Sequence, residues 1–265
     1  VAASHQPDLG EHLPGDASCL AVISGKGGVG KSLVAGLLAV AFARSGHSVG
    51  ILDADITGPS IPRMFGVRRA TAADGSRIAP AKTRGLGIRI MSLNLLTEKE
   101  DDPVVWRGPL LSKTVEQFLT DVDWSGVQYL FIDLPPGTSD VPLTVMQRLP
   151  LKGIAVVSSP QELVGMIVGK AIKMAALLKV PVVGLVENMT HVICPKCGER
   201  IELFGPEKGR NAARVQGLRV LASIPVDPAL AGLCDRGELE SYAHNPFDEG
   251  VELIAESLDG AGRRS

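Results

Sequence analysis

The chain has 265 residues, 45% of them apolar and 21% charged, with a formal net charge of −2. That is ordinary globular composition and enough length for one large α/β domain with a sizeable core. The charge balance excludes a strongly basic nucleic-acid or lipid binder, and no apolar run approaches the ~18 residues of a membrane span.

Residues 1–18 contain Asp8, Glu11 and Asp16 but no Lys or Arg. This stretch lacks the charged start of a secretory leader and the Arg-rich character of a transit peptide. A flexible arm is expected there, ahead of a single domain over 19–265. Four cysteines without an export signal suit a reducing compartment, so a cytoplasmic location is expected. Strands are predicted at 19–24, 48–53, 87–92, 128–133, 153–158, 181–186 and 219–224. Most are nearly continuous in Val, Ile, Leu and Ala, as suits strands buried on both faces of a parallel sheet. Helices are predicted between or after them at 30–45, 109–121, 162–178, 207–216 and 247–258. The alternation predicts an α/β fold with three layers and a doubly wound, mostly parallel sheet. In such folds ligands bind outside the carboxyl ends of the strands. Gly25–Ser32, Asp53–Ser60, Asp133–Asp140, Ser158–Glu162 and Glu187–Met189 all follow strand ends, so one shared site is expected.

The most specific of these segments is Gly25-Lys26-Gly27-Gly28-Val29-Gly30-Lys31-Ser32. It lies between a strand and an Ala-rich helix, the setting a phosphate-binding P-loop requires. Glycines let backbone N–H groups turn toward phosphates, and the helix N-terminus adds partial positive charge. Lys31 is expected to reach the β/γ-phosphates and the Ser32 hydroxyl to sit on Mg²⁺. Asp133 closes the apolar run Tyr129–Ile132, a Walker B arrangement in which the acid holds Mg²⁺ or its water. Gly137 is a candidate for presenting a backbone N–H to the γ-phosphate. Asp53 and Asp55 occupy alternate positions of an extended chain and so point the same way. Asp55 is the candidate for placing the attacking water, with Asp53 in support.

A different chemistry is carried by Cys194-Pro195-Lys196-Cys197-Gly198. The turn aims two sulfurs at one point, but a closed metal site needs four ligands. A two-fold dimer would supply a second pair and complete a Cys₄ site. Zinc and an iron–sulfur cluster both suit thiolates, and a redox disulfide is a third alternative. Cys19 and Cys234 read as small buried apolar residues. His191 reads as a solvated loop histidine.

The loop Gly25–Ser32 with its extra Lys26 resembles the deviant Walker A motif of the MinD/ParA/nitrogenase-iron-protein superfamily, the SIMIBI type of P-loop NTPase. Gly58-Pro59-Ser60-Ile61-Pro62-Arg63-Met64, Trp106-Arg107-Gly108-Pro109, Glu187-Asn188-Met189 and the Cys-Pro-x-Cys turn are similar to one branch, the Mrp/ApbC-type iron–sulfur cluster carriers. The resemblance runs from about Cys19 to Asp259. It implies a homodimer with two ATP/ADP sites, in which Lys26 reaches the partner's nucleotide. It implies phosphate and nucleotide contacts along Gly25, Lys26, Gly27, Gly28, Val29, Gly30, Lys31, Ser32 and Leu33, an adenine contact at Asn188, and Pro225 and Asp227 flanking the base. It also implies a [4Fe–4S] cluster bridging two subunits at Cys194 and Cys197, with zinc as a substitute, and delivery to apo iron–sulfur proteins. The sequence departs from the family pattern at Leu33, where a Thr hydroxyl is usual, and at Thr57 and Ser139. The expected function is a cluster scaffold or carrier with slow ATP hydrolysis, using neither nucleic acid nor membrane. The alternatives are a MinD/ParA-like positioning ATPase and a zinc-stapled dimeric ATPase. The acidic stretch Glu252–Asp259 offers no basic amphipathic helix for the first of these.

Overall fold

A computed structural model describes residues 17–55, 60–68, 71–72, 77–92, 95, 108–137, 142–143, 146–147, 149–160, 164–204 and 217–261. Of the arm expected at 1–18, residues 1–16 lie outside the described residues, as do the predicted helix 207–216, Thr57, Trp106, Arg107 and Ser139. Ser18 is instead a buried residue of the first strand, which pairs with a neighbouring strand from that position. In chain order the elements are β1 (Ser18–Ser24), α1 (Lys31–Arg44), β2 (Val49–Asp53), α2 (Ile61–Met64), β3 (Thr71–Ala72), β4 (Ile78–Ala79), β5 (Ala81–Lys82) and β6 (Arg89–Ser92). They continue with α3 (Gly108–Thr120), β7 (Tyr129–Asp133), β8 (Leu151–Ser158), α4 (Val164–Leu178), β9 (Val182–Glu187), β10 (Val192–Ile193) and β11 (Arg200–Ile201). The last are β12 (Val220–Ser223), α5 (Pro228–Arg236) and α6 (Val251–Ala261).

The main sheet runs β12-β9-β8-β1-β7-β2-β6-β5, with β5 antiparallel to β6 at one edge and every other pairing parallel. All seven predicted strands are in it. Because side chains alternate across a strand, β1 sends Leu20 and Val22 to one face and Cys19, Ala21 and Ile23 to the other. The first face packs on α1, α2, α5 and α6; the second packs on α3 and α4. Three layers result.

Helix α1 is apolar almost all round, as a helix enclosed by protein must be. Its residues Val34 to Phe42 are buried, and Phe42 meets Tyr129 and Phe131 edge-on at centroid distances of 4.8 and 5.1 Å. Its far side is fastened by Asn245, whose Nδ2 donates to Leu37 O at 2.8 Å. Helix α5, which contains Cys234, lies outside the predicted helix ranges, although its signals are in the chain. Asp227 caps it by accepting from Ala229 N, Pro228 occupies its first turn, and Gly237 ends it at φ 73°.

On the opposite face Trp124 is fully buried, and its indole N–H donates to Phe118 O at 2.9 Å. The absence of a side chain at Gly50 makes room for it, since a Cβ there would lie 2.9 Å from Trp124 Cζ3. Trp124→Ala leaves a large cavity and an unsatisfied carbonyl, and is expected to lower stability by about 3–5 kcal/mol. Urea denaturation checks this; a change under ~1 kcal/mol would mean that the layer collapses around the gap.

Candidate functional site

Parallel pairing sets strand ends beside one another, and the register decides which side chains meet. Asp53 of β2 pairs with Asp133 of β7, and Ser92 of β6 pairs with Asp53. Neighbouring strands lie about 4.8 Å apart, so two carboxylates share one buried edge. Asp53 and Asp133 are 1% and 0% exposed. The charge is met from the P-loop: Lys31 Nζ lies 2.5 Å from Asp133 Oδ1 and 3.4 Å from Asp55 Oδ2. Asp53 accepts from Asp55 N–H at 3.2 Å and from the Ser92 hydroxyl at 3.3 Å.

Between β1 and α1 the P-loop turns through Gly28 and Gly30, at φ 82° and 81°. Gly30 is required for a second reason, because a Cβ on it would fall 2.1 Å from Asn188 Nδ2. That amide donates to Val29 O at 2.9 Å, while Asn188 Oδ1 accepts from Met189 N–H. Asn188, expected at the adenine edge, here braces the P-loop from below and is 2% exposed. Gly137 N–H, expected toward the γ-phosphate, donates instead to Ser24 O at 2.9 Å, tying the loop after β7 to the P-loop entry. Asp227 caps α5 and accepts from Tyr242 OH at 2.9 Å; Pro225 lies half-buried just before it. A cleft of about 300 Å³ opens above the loop, walled by Lys26, Gly28, Lys31, Ser32, Leu33, Asp55 and Ser60 among others. Lys26 stands exposed at its rim.

The cysteine pair sits at the tip of the β10–β11 hairpin. Cys194 N–H donates to Glu199 O, Gly198 N–H donates to Cys194 O, and Gly198 closes the turn at φ 74°. Amide N–H groups of Cys197 and Lys196 hold the Cys194 thiol below its usual range, as suits a thiolate ligand. Burial pushes the Cys19 thiol up to about 12 and raises that of Cys234, as suits packing residues. Among the described residues no group of three or more His, Cys, Asp or Glu side chains is placed to hold a metal ion. His191, expected in solvent, is instead buried against Thr190, whose hydroxyl lies 2.7 Å from His191 Nδ1. The signal missed is that His191 belongs to the strap between β9 and β10, pinned by Thr190 N–H to Ile224 O and by Val226 N–H to His191 O.

A family model for ParA, described as NUBPL iron-transfer P-loop NTPase, matches residues 17–259. The chain belongs to that family. It is 44% identical over 259 residues to the iron–sulfur cluster carrier protein of Clostridium perfringens, covering 94% of this chain and 89% of that protein. It is 41% identical over 247 residues to the carrier protein of the same name from Methanocaldococcus jannaschii, covering 91% and 85%. A solved nucleotide-binding protein from Archaeoglobus fulgidus in complex with ADP superimposes with a TM-score of 0.82 at 44% identity, covering 91% of this chain and 95% of that one. The cell-division protein MinD of Aquifex aeolicus shares the fold at 18% identity and a TM-score of 0.54, covering 94% and 98%. No described helix is long and apolar enough to cross a membrane.

The titration of the buried acids follows from the geometry. Burial, with Asp133 adding to it, holds the Asp53 carboxyl well above the usual carboxylate range against the pull of Lys31 and the Asp55 N–H. Burial likewise raises Asp133, opposed by Lys31 and the nearby Ser32 hydroxyl. A carboxyl raised in the folded chain stabilises fully below its unfolded value of about 4, and that contribution is lost as pH rises through the folded value. Asp53→Asn can still accept from Asp55 N–H and can donate to Ser92. In the nucleotide-free protein it is expected to match wild type near pH ~4 and to exceed it increasingly at higher pH. Denaturant midpoints measured across that range check this; parallel profiles would contradict it.

Proposed function

We propose that this chain is an iron–sulfur cluster carrier in which a slow ATPase acts as the switch. The observation that carries the reading is the incomplete cysteine site. The knuckle supplies two sulfurs at the tip of an exposed hairpin, flanked by Ile193, Ile201 and Leu203 at 48%, 44% and 49% exposure. A second copy of the chain covers that apolar skirt and brings the other two ligands, so the cargo is held between subunits. The names of the relatives support this cargo, and the ADP complex of the Archaeoglobus relative supports an adenine nucleotide.

At the nucleotide site the P-loop amides and Lys31 bind the phosphates. Asp133 Oδ2, buried with no hydrogen-bond partner among the described residues, and the Ser32 hydroxyl form a hard oxygen pair suited to Mg²⁺. That ion would neutralise charge on the transferred phosphoryl group. Asp55 orients the attacking water, and Lys26 from the rim reaches the partner's nucleotide. The route to the cargo is short. Asn188 holds the P-loop carbonyl of Val29, and Cys194 lies six positions further along the pinned strap. A shift of the P-loop on phosphate binding is therefore felt at the knuckle.

The positioning-ATPase reading is disfavoured by α6, which buries Val251, Ile254, Ala255 and Leu258 against the sheet and exposes Leu253 among the acidic Glu252, Glu256 and Asp259. Anaerobic reconstitution with iron and sulfide tests the carrier reading. Wild-type protein is expected to gain visible absorption and iron in proportion to dimer, and Cys194→Ser/Cys197→Ser to gain neither. Equal uptake by the variant sinks the proposal, and zinc as the sole bound metal after oxygen-free purification favours the zinc-stapled reading. Lys26→Ala is expected to lower ATP turnover by at least ~100-fold with nucleotide affinity nearly unchanged. Unaltered turnover would mean that no lysine acts across the interface.

A further inference from the structure

A recess larger than the phosphate cleft lies elsewhere on the described structure. It is a trough of about 970 Å³ between the segment following α2, the β5–β6 turn and the end of α5. It continues into a second hollow of about 440 Å³ through the shared residues Gly66, Val67, Arg68, Arg236 and Gly237. Five cationic side chains, Arg63, Arg68, Lys82, Arg84 and Arg236, stand exposed along these walls, in a chain whose net charge is −2.

Three carboxylates share the walls, and two are already engaged. Glu240 accepts from the Thr83 hydroxyl, Gly85 N–H and Leu86 N–H. Glu238 pairs with Arg236 at 2.8 Å. Asp235 lines only the second hollow. Arg63, Arg68, Lys82 and Arg84 make no ion pair among the described residues.

We infer that this trough docks an acidic polypeptide segment of a partner protein. The cations are spread over three separate elements, which suits carboxylates spaced along an extended chain better than one compact anion. The interspersed Asp235 and Glu238 would repel a continuous phosphate backbone, and no exposed aromatic among the described lining residues offers a base-stacking platform. Charge complementarity of this kind sets encounter rate and partner choice.

The trough also shares a wall with the phosphate cleft. Ser60 and Met64 face the phosphate cleft, and the next residues, Phe65 to Arg68, face the trough. Gly66 and Gly237 press backbone to backbone: a Cβ on Gly237 would lie 2.5 Å from Gly66 Cα. Movement of α2 with phosphate occupancy is thereby passed to α5 and to the spacing of the trough. Linkage then requires nucleotide and acidic segment to alter each other's affinity by one common factor.

The probe is a fluorescent peptide alternating Glu and Gly, with its Gln counterpart as control, followed by anisotropy at low and near-physiological salt. Wild type is expected to bind the Glu peptide, more weakly as salt shortens the range of the attraction, and to ignore the Gln peptide. Arg68→Glu/Arg84→Glu is expected to weaken binding by at least ~10-fold, and Arg68→Lys/Arg84→Lys to retain it. Both positions are exposed, so melting temperature and ATP affinity serve as controls for folding. Equal binding of Glu and Gln peptides, or of wild type and the charge-reversed variant, overturns the inference. So does displacement of the peptide by equimolar inorganic phosphate or by an oligonucleotide. An unchanged peptide affinity between ADP and a non-hydrolysable ATP analogue overturns the coupling through α2. The site does not depend on the cargo: Cys194→Ser/Cys197→Ser should bind the peptide as wild type does, so failure here leaves the carrier reading standing.

Discussion

The ammonium of Lys31 facing the carboxylates of Asp133 and Asp55, with Asp53 one strand away, is the interaction on which the site depends. One positive group among three acids leaves the edge of the sheet under-neutralised, and burial magnifies the imbalance. A structure of this kind is tolerable only if something else brings positive charge or if protons remain on the acids. Burial raises the Asp53 and Asp133 carboxyls, which favours the proton answer. On the function proposed above, the other answer would be a magnesium nucleotide, with Lys31 toward its phosphates and Asp133 and Ser32 as the residues that would hold the metal. The sheet register, by aligning Asp53 with Asp133, builds this tension into the backbone.

The same economy of parts joins the two chemistries. Asn188, the residue that braces the P-loop, directly follows strand β9, and the chain then runs on to the cysteine knuckle. Neither Met189 at φ 60° nor the hydrogen bonds of Thr190 and Val226 leave this strap much slack. A short, pinned connection is what a two-state device needs if a displacement of a few tenths of an ångström is to survive the distance.

Much of this was legible in the residues. The seven long strands announce themselves because strands buried on both faces are nearly uninterrupted runs of Val, Ile, Leu and Ala. The P-loop, Asp133 and the cysteine turn are legible because their chemistry dictates both residue type and spacing. What was not legible depends on tertiary partners. Asn188 is a hydrogen-bonding side chain after a strand, and nothing local says that its partner is Val29, 159 positions away. Gly137 has an N–H that either a phosphate or Ser24 could take, and packing chose Ser24. His191 looks like a loop histidine until the strap folds against the segment after β12. The two-residue strands are too short for periodicity to register, and α5 lies outside the predicted helix ranges although Asp227, Pro228 and Gly237 mark both its ends.

The enclosure of α1 has a consequence for how ligand leaves. A helix buried on nearly every side is among the last parts of a domain to open, so its amides should be among the slowest to exchange hydrogen. Departure of a bound phosphate chain by fraying of the P-loop helix would therefore require near-global unfolding. Exchange of a phosphate chain at the P-loop thus leaves α1 folded and the core undisturbed.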